Sequence, residues 1–174
     1  MAKTKVTVTH LELTAPDQLR PAAKVDGFST RLVFPPVPGF NRRCYETIGK
    51  QWHWRDRLPW TDDDWAHWLA RPGVRTWEFL HEGRPGVGYA ELATDLNGST
   101  EIVYFGLMPE FIGKGLGGEA LTQMVEIAWG LPSRRVWLST CTLDAPMAIM
   151  NYEARGFKRF KVMEEWRDLP DTPS

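Results

Sequence analysis

The chain has 174 residues, and its 21 Lys and Arg nearly balance its 22 Asp and Glu, for a net charge of −1. That balance argues against a nucleic-acid binder working through a bulk positive field. No apolar run approaches the roughly 18 residues of a membrane helix, and two distant cysteines, Cys44 and Cys141, do not make a disulfide framework. The start, from Met1 to His10, alternates polar and apolar residues and does not read as a signal peptide. A single soluble domain in the reduced cytoplasm is expected, with nine tryptophans as its one unusual number.

In chain order, residues 5–13 alternate as a strand does. Residues 14–39 hold five prolines and read as loop, with room for a strand and a rigid turn. Residues 40–50 suit a short helix. An aperiodic stretch dense in tryptophan and arginine follows, residues 51–60. Thr61 and Asp64 make a capping-box start for a second helix, which Pro72-Gly73 ends.

The middle reads as β. Strands are expected at 75–81, 87–94 and about 100–107, with Asn97-Gly98 as the last turn. A two-residue turn there sets Thr94 opposite Glu101 and Glu91 opposite Tyr104. Glu101, Val103 and Phe105 then share one face, and Ile102, Tyr104 and Glu91 the other. Glycines crowd residues 113–118, and apolar residues recur at helical spacing from Leu116 to about Trp129. Residues 135–140 form a strand. Asp144 is placed to cap a helix with Pro146 in its first turn, and Gly156 to end it. A last strand covers about 157–166. The order β-β-β-α-β-α-β implies a mixed α/β sheet with helices on its faces.

The segment Leu107-Met108-Pro109-Glu110-Phe111-Ile112-Gly113-Lys114-Gly115-Leu116-Gly117-Gly118 leaves a strand and opens a helix. Backbone N–H groups at such a place form an anion site. A Walker A loop needs Ser or Thr after its Gly-Lys, and Lys114 is followed by Gly115. A dinucleotide fingerprint belongs to the first strand of a parallel unit, whereas this loop follows an antiparallel hairpin. The pyrophosphate of coenzyme A fits better.

On these residues the chain resembles the GNAT N-acetyltransferase superfamily from about Val74 to Trp166. That family's loop is Arg/Gln-x-x-Gly-x-Gly/Ala, matched here by Gly113 and Gly115, with Glu110 in the leading position. A second family motif, Asn-x-x-Ala-x-x-x-Tyr-x-x-x-Gly-Phe, is matched by Ala148, Tyr152, Gly156 and Phe157. Ala145 stands in its Asn position, with Asp144 just before.

The resemblance implies one GNAT domain over 1–174. Its central sheet would be mostly antiparallel and twisted, with six to seven strands and about four helices. Residues 1–73 would form the acceptor side and 74–166 the acetyl-CoA core. It implies acetyl-CoA as cosubstrate, held by Leu107, Met108, Ile112, Gly113, Lys114, Gly115, Leu116, Gly117, Gly118, Asp144 and Ala148. Tyr152 would be the acid that protonates the leaving thiolate. Glu101 leads as the base for the amine, ahead of Glu91 and of a water chain. Trp52, Trp54 and Arg55 would line the acceptor pocket.

The acceptor is then a small-molecule or peptide amine, with a homodimer left open. No nucleic acid or membrane partner is expected, and the four histidines show no ligand spacing for a metal. Two other readings stay open. One is a longer-acyl transferase, for which small Gly106 leaves room. The other is a non-catalytic CoA-binding module. A covalent route through Cys141 lacks an evident base partner.

Overall fold

The computed structural model describes residues 2–169. Seven strands form one sheet: β1 (Ala2–Leu13), β2 (Phe28–Leu32), β3 (Val74–His81), β4 (Arg84–Thr94), β5 (Ser99–Leu107), β6 (Arg135–Cys141) and β7 (Lys158–Leu169). Four α-helices accompany it: α1 (Pro38–Trp52), α2 (Asp62–Leu69), α3 (Gly117–Gly130) and α4 (Pro146–Ala154). The strand order is β2-β3-β4-β5-β6-β1-β7. Every neighbouring pair is antiparallel except β5 with β6. The mixed α/β sheet expected from the sequence is therefore present.

The apolar periodicities fill two cores. On one face of the sheet α3 packs Leu121 and Met124 against Leu11, Leu92, Ile102 and Val136. On the other, α1 sets Cys44 and Ile48 against Tyr89, with Trp54 and Tyr104 beside them. The capping box of α2 is complete: Asp64 N donates to Thr61 Oγ1 at 3.2 Å, and Thr61 N to Asp64 Oδ2 at 2.8 Å.

Two expectations are corrected. The turn between β4 and β5 is longer than Asn97-Gly98. Asp95 N donates to Ser99 O at 2.9 Å, Asp95 Oδ1 accepts from the N–H groups of Asn97 and Ser99, and Gly98 takes φ 78°. Thr94 therefore faces Thr100, not Glu101. A bulge beyond Leu92 restores Glu91 opposite Tyr104, with Val103 as the extra residue. Ile102 and Phe105 then face the α3 core, while Tyr104 faces α1.

Second, Asp144 does not cap α4. The N-cap is Ala145, without a side-chain cap. The Asp144 Oδ2 atom instead accepts from Thr140 Oγ1 at 2.6 Å and Cys141 N at 2.9 Å, closing the turn out of β6.

The N-terminal strand lies inside the sheet, between β6 and β7. At the other end of α4, Gly156 forms the expected stop. Its N–H bonds Glu153 O and the Phe157 N–H bonds Tyr152 O, a Schellman pattern. Gly156 has φ 97°, and a Cβ there would sit 2.1 Å from Gln18 O.

Candidate active site

Strands β5 and β6 pair over only three residues, ending at Glu101 with Trp137. Beyond that point the two parallel strands separate, and a cleft of about 870 Å³ opens between them. Residues 101–107 form one wall and residues 138–141 the other. Strand edges without a neighbour present free N–H and C=O groups, which an extended ligand rich in amides can use.

The glycine loop forms one end of the cleft. Gly113 and Gly115 take φ 79° and 77°, and nothing stands within 4 Å of where their Cβ atoms would be. Backbone conformation, not packing, is therefore what demands glycine there. No side chain caps α3, and a helix leaves its first N–H groups without intrahelical partners. Ile112, Gly113, Gly115, Leu116, Gly117 and Gly118 all line the cleft. This arrangement suits an anion.

Leu107, Asp144 and Ala148 line the cleft as well. Met108 and Lys114 are outside the lining. Met108 packs beside Ile48 and Tyr89, and Lys114 holds its Nζ 5.4 Å from the Phe111 ring. Glu110, which the motif places where a cation is usual, is exposed and also outside the lining.

Sequence reasoning missed Arg155 here. It lines the cleft, its guanidinium Nη1 lies 2.6 Å from where a Gly118 Cβ would stand, and its Nε has no hydrogen-bond partner. The signal available was a lone cation in a variable position of the second motif. Asn151 Nδ2 donates to Gly117 O at 3.1 Å and ties α4 to the start of α3.

Tyr152 and Glu101 share the cleft. Tyr152 is 8% exposed. Burial, then the nearby Asp144 carboxylate, pushes its phenol up, so it stays a proton donor. Glu101 sits where the strand pairing ends. Burial raises its carboxyl above the ordinary glutamate value, Arg57 opposes this, and Glu91 adds to it.

Glu91 does not reach the cleft. It is fully buried, and its oxygens accept from Arg57 Nη2 at 2.8 Å, Arg57 Nη1 at 3.0 Å, Asn41 Nδ2 at 3.0 Å and Trp68 Nε1. Arg57 is 5% exposed and lies 4.4–5.3 Å from the rings of Trp60, Tyr104, Trp68 and Trp65. Its N–H also donates to Tyr45 Oη at 3.0 Å. Glu91 is an anchor for the loop between α1 and α2.

Residues 53–56 of that loop line the cleft. His53 at φ 56° turns the chain out of α1, and Trp52, Trp54 and Arg55 face the opening. Trp54 packs at a tilt against Tyr104, with ring centroids 4.8 Å apart, and Gly49 leaves it room, since a Cβ there would be 2.5 Å from Trp54 Cβ. Gly106 is small for a similar reason. Its Cβ would meet Ile48 Cγ2 at 2.7 Å, so α1 already fills that space.

Cys141 is half-buried in the cleft wall. Burial, then Asp144, pushes its thiol up, which disfavours the thiolate a nucleophile needs. Among the described residues, no three His, Cys, Asp or Glu side chains gather as a metal site requires. Among the same residues, no helix is long and apolar enough to cross a membrane.

A mixed sheet split between two parallel strands, with a glycine loop leading into a helix at the split, defines a GNAT fold. The family model for GNAT acetyltransferases matches residues 41–157, and the chain belongs to that family. Among curated proteins, none matches. Solved structures do.

A GCN5-related N-acetyltransferase from Kribbella flavida is 18% identical with a TM-score of 0.65, over 93% of this chain and 58% of its own. One from Sphaerobacter thermophilus is 17% identical with a TM-score of 0.65, over 92% and 51%. A tandem GNAT protein from the clavulanic acid biosynthesis pathway is 18% identical with a TM-score of 0.55, over 95% and 55%. The chain thus spans between half and three-fifths of these proteins, and at such identity the likeness concerns the fold.

Proposed function

We propose that this protein is an N-acetyltransferase that moves the acetyl group of acetyl-CoA to a primary amine of a small molecule or peptide. The observation that carries this reading is the shared cleft. It joins the glycine loop, the uncapped start of α3, Tyr152 and Glu101 in one lining.

The residues fit acetyl-CoA. Backbone N–H groups of residues 113–118 take the pyrophosphate, and Arg155 supplies the cation that Glu110 does not. The free edges of β5 and β6 take the amides of the pantetheine arm. The bound thioester supplies an activated acyl group.

An alkyl ammonium of pKa about 10.4 is free base in about one part in a few thousand at pH 7. Glu101 takes the surplus proton, directly or through water, and Tyr152 donates one to the departing sulfur. Trp52, Trp54 and Arg55 hold the acceptor. In this reading residues 1–73 serve the acceptor and residues 74–166 the acetyl-CoA. A reduced cytoplasmic setting belongs to it, and the free thiols Cys44 and Cys141 are consistent with that. Because Ile48 occupies the space beside Gly106, that glycine offers nothing to a longer acyl chain.

Release of free CoA thiol on mixing acetyl-CoA with an amine library tests the assignment. Tyr152→Phe is expected to lower kcat by about 10²-fold or more while leaving CoA affinity within about threefold. An unchanged rate would remove Tyr152 from the chemistry.

A further inference from the structure

The transfer chemistry assigns no role to a side chain of the outer strand of the sheet, although Arg167 on it lines the cleft. β7 is 12 residues long and, among the described residues, pairs only with β1. An edge of this kind is a template for another strand. Phe160, Val162, Met163 and Trp166 on it are 42%, 57%, 37% and 67% exposed.

Charge decides what fits there. Charges guard a sheet edge best when they repel whatever strand approaches. β7 is instead sorted by sign along its length. Lys158, Arg159 and Lys161 lie in its first third. Glu164, Glu165 and Asp168 lie in its second half, where Arg167 is the one cation. A strand of the same sequence, approaching antiparallel, lays its cationic part along the acidic part.

We propose that β7 pairs antiparallel with β7 of a second copy of this chain, about a twofold axis at Met163, joining the two sheets into one. This does not rest on the catalytic reading. Residues one and two positions either side of Met163 then face each other on the same side of the sheet, and a bulge at Phe160, where β7 carries one residue more than β1, ends the regular alternation before Arg159. Met163 meets the partner's Met163, and Lys161 lies opposite the partner's Glu165, twice per dimer. Val162 covers the stem of the partner's Glu164.

The bulge takes Arg159 out of register with the partner's Arg167, and Arg159 has Glu153 as an acid of its own. Arg159 holds Glu153 at 2.6 Å, and Arg167 holds Glu165 through Oε1 at 2.5 Å, which leaves Glu165 Oε2 for the partner's Lys161. The seam stops short of Asp168, whose carbonyl already accepts from Arg55 Nη1 at 3.0 Å. It therefore ends beside the loop that walls the acceptor side of the cleft.

One strand pair buries less than a standard interface of roughly 1,600 Å², so association in the micromolar range is expected. Sedimentation equilibrium from about 1 to 100 µM should show a monomer–dimer equilibrium for the wild type. Lys161→Glu and Glu165→Lys should each weaken it at least tenfold, by setting like charges opposite each other. An equal mixture of the two variants should recover a dimer, because every opposing pair is then Glu with Lys. Placing both substitutions in one chain should recover it as well. Lys161 is exposed, so Lys161→Glu leaves the fold intact and reads the interface alone. A wild type that stays monomeric at the top concentration overturns the proposal. So does a dimer indifferent to Lys161→Glu, or a mixture that does not associate.

Discussion

Glu91→Ala is expected to lower the melting temperature by about 10 °C. The variant leaves the Arg57 guanidinium charged and buried among four aromatic rings. It also strips Asn41 Nδ2 and Trp68 Nε1 of an acceptor, although Asn41 keeps Thr76 Oγ1 at 2.7 Å. Removing one member of a buried ion pair costs about 3–5 kcal/mol. In a domain of this size each kcal/mol moves the midpoint by about 2–4 °C.

The double variant Glu91→Ala/Arg57→Met should melt above Glu91→Ala, because no buried charge is left unpaired. Arg57 lies three residues after Trp54, so the same loss should raise the acceptor KM and spare CoA affinity. Thermal denaturation followed by circular dichroism decides the first point. A melting temperature within about 2 °C of the wild type would show that the pair contributes nothing net.

Glu101→Gln is expected to lower kcat/KM by about 10²–10⁴-fold, the usual contribution of a general base. The pH profile gives the sharper test. Burial raises the Glu101 carboxyl above the ordinary glutamate value. The base must be ionised, so activity rises with pH through that raised value. This limb should vanish in Glu101→Gln.

Stability runs the other way. A carboxyl with a raised folded pKa favours the neutral form. Its contribution is complete below the unfolded value and is lost as pH rises through the folded one. Glu101→Gln should therefore melt at or above the wild type at pH 7 while losing activity. A variant that loses both equally would mark Glu101 as structural.

Much of the fold was legible because its signals are local. Thr61 with Asp64, Gly156 after α4 and the glycines of 113–118 each set the conformation of their own few residues, and each appears as read. Glu101, Tyr152, Trp52, Trp54 and Arg55 converge on one cleft because strand and helix order carried them there.

What was not legible depends on distance or on competition. β1 enters the sheet between β6 and β7 through pairings more than a hundred residues away, which alternation alone cannot address. The bulge at Val103 depends on Asp95 folding back over the turn. Asp144 had two uses for one carboxylate, and the turn of β6 won over the cap of α4. In the sequence Glu91 is a candidate base behind Glu101. Only the fold brings Arg57, Asn41 and Trp68 onto it.

Isothermal titration with acetyl-CoA and with CoA tests the central claim most directly, that the split between β5 and β6 is an acyl-CoA site. The arrangement of the glycine loop, the start of α3 and Arg155 predicts saturable one-to-one binding with a micromolar Kd for both. Arg155→Ala should weaken both by about tenfold, the loss of one charge-assisted contact of about 1.4 kcal/mol. No saturable binding at millimolar ligand, in protein with the circular dichroism of a folded α/β domain, would contradict the account.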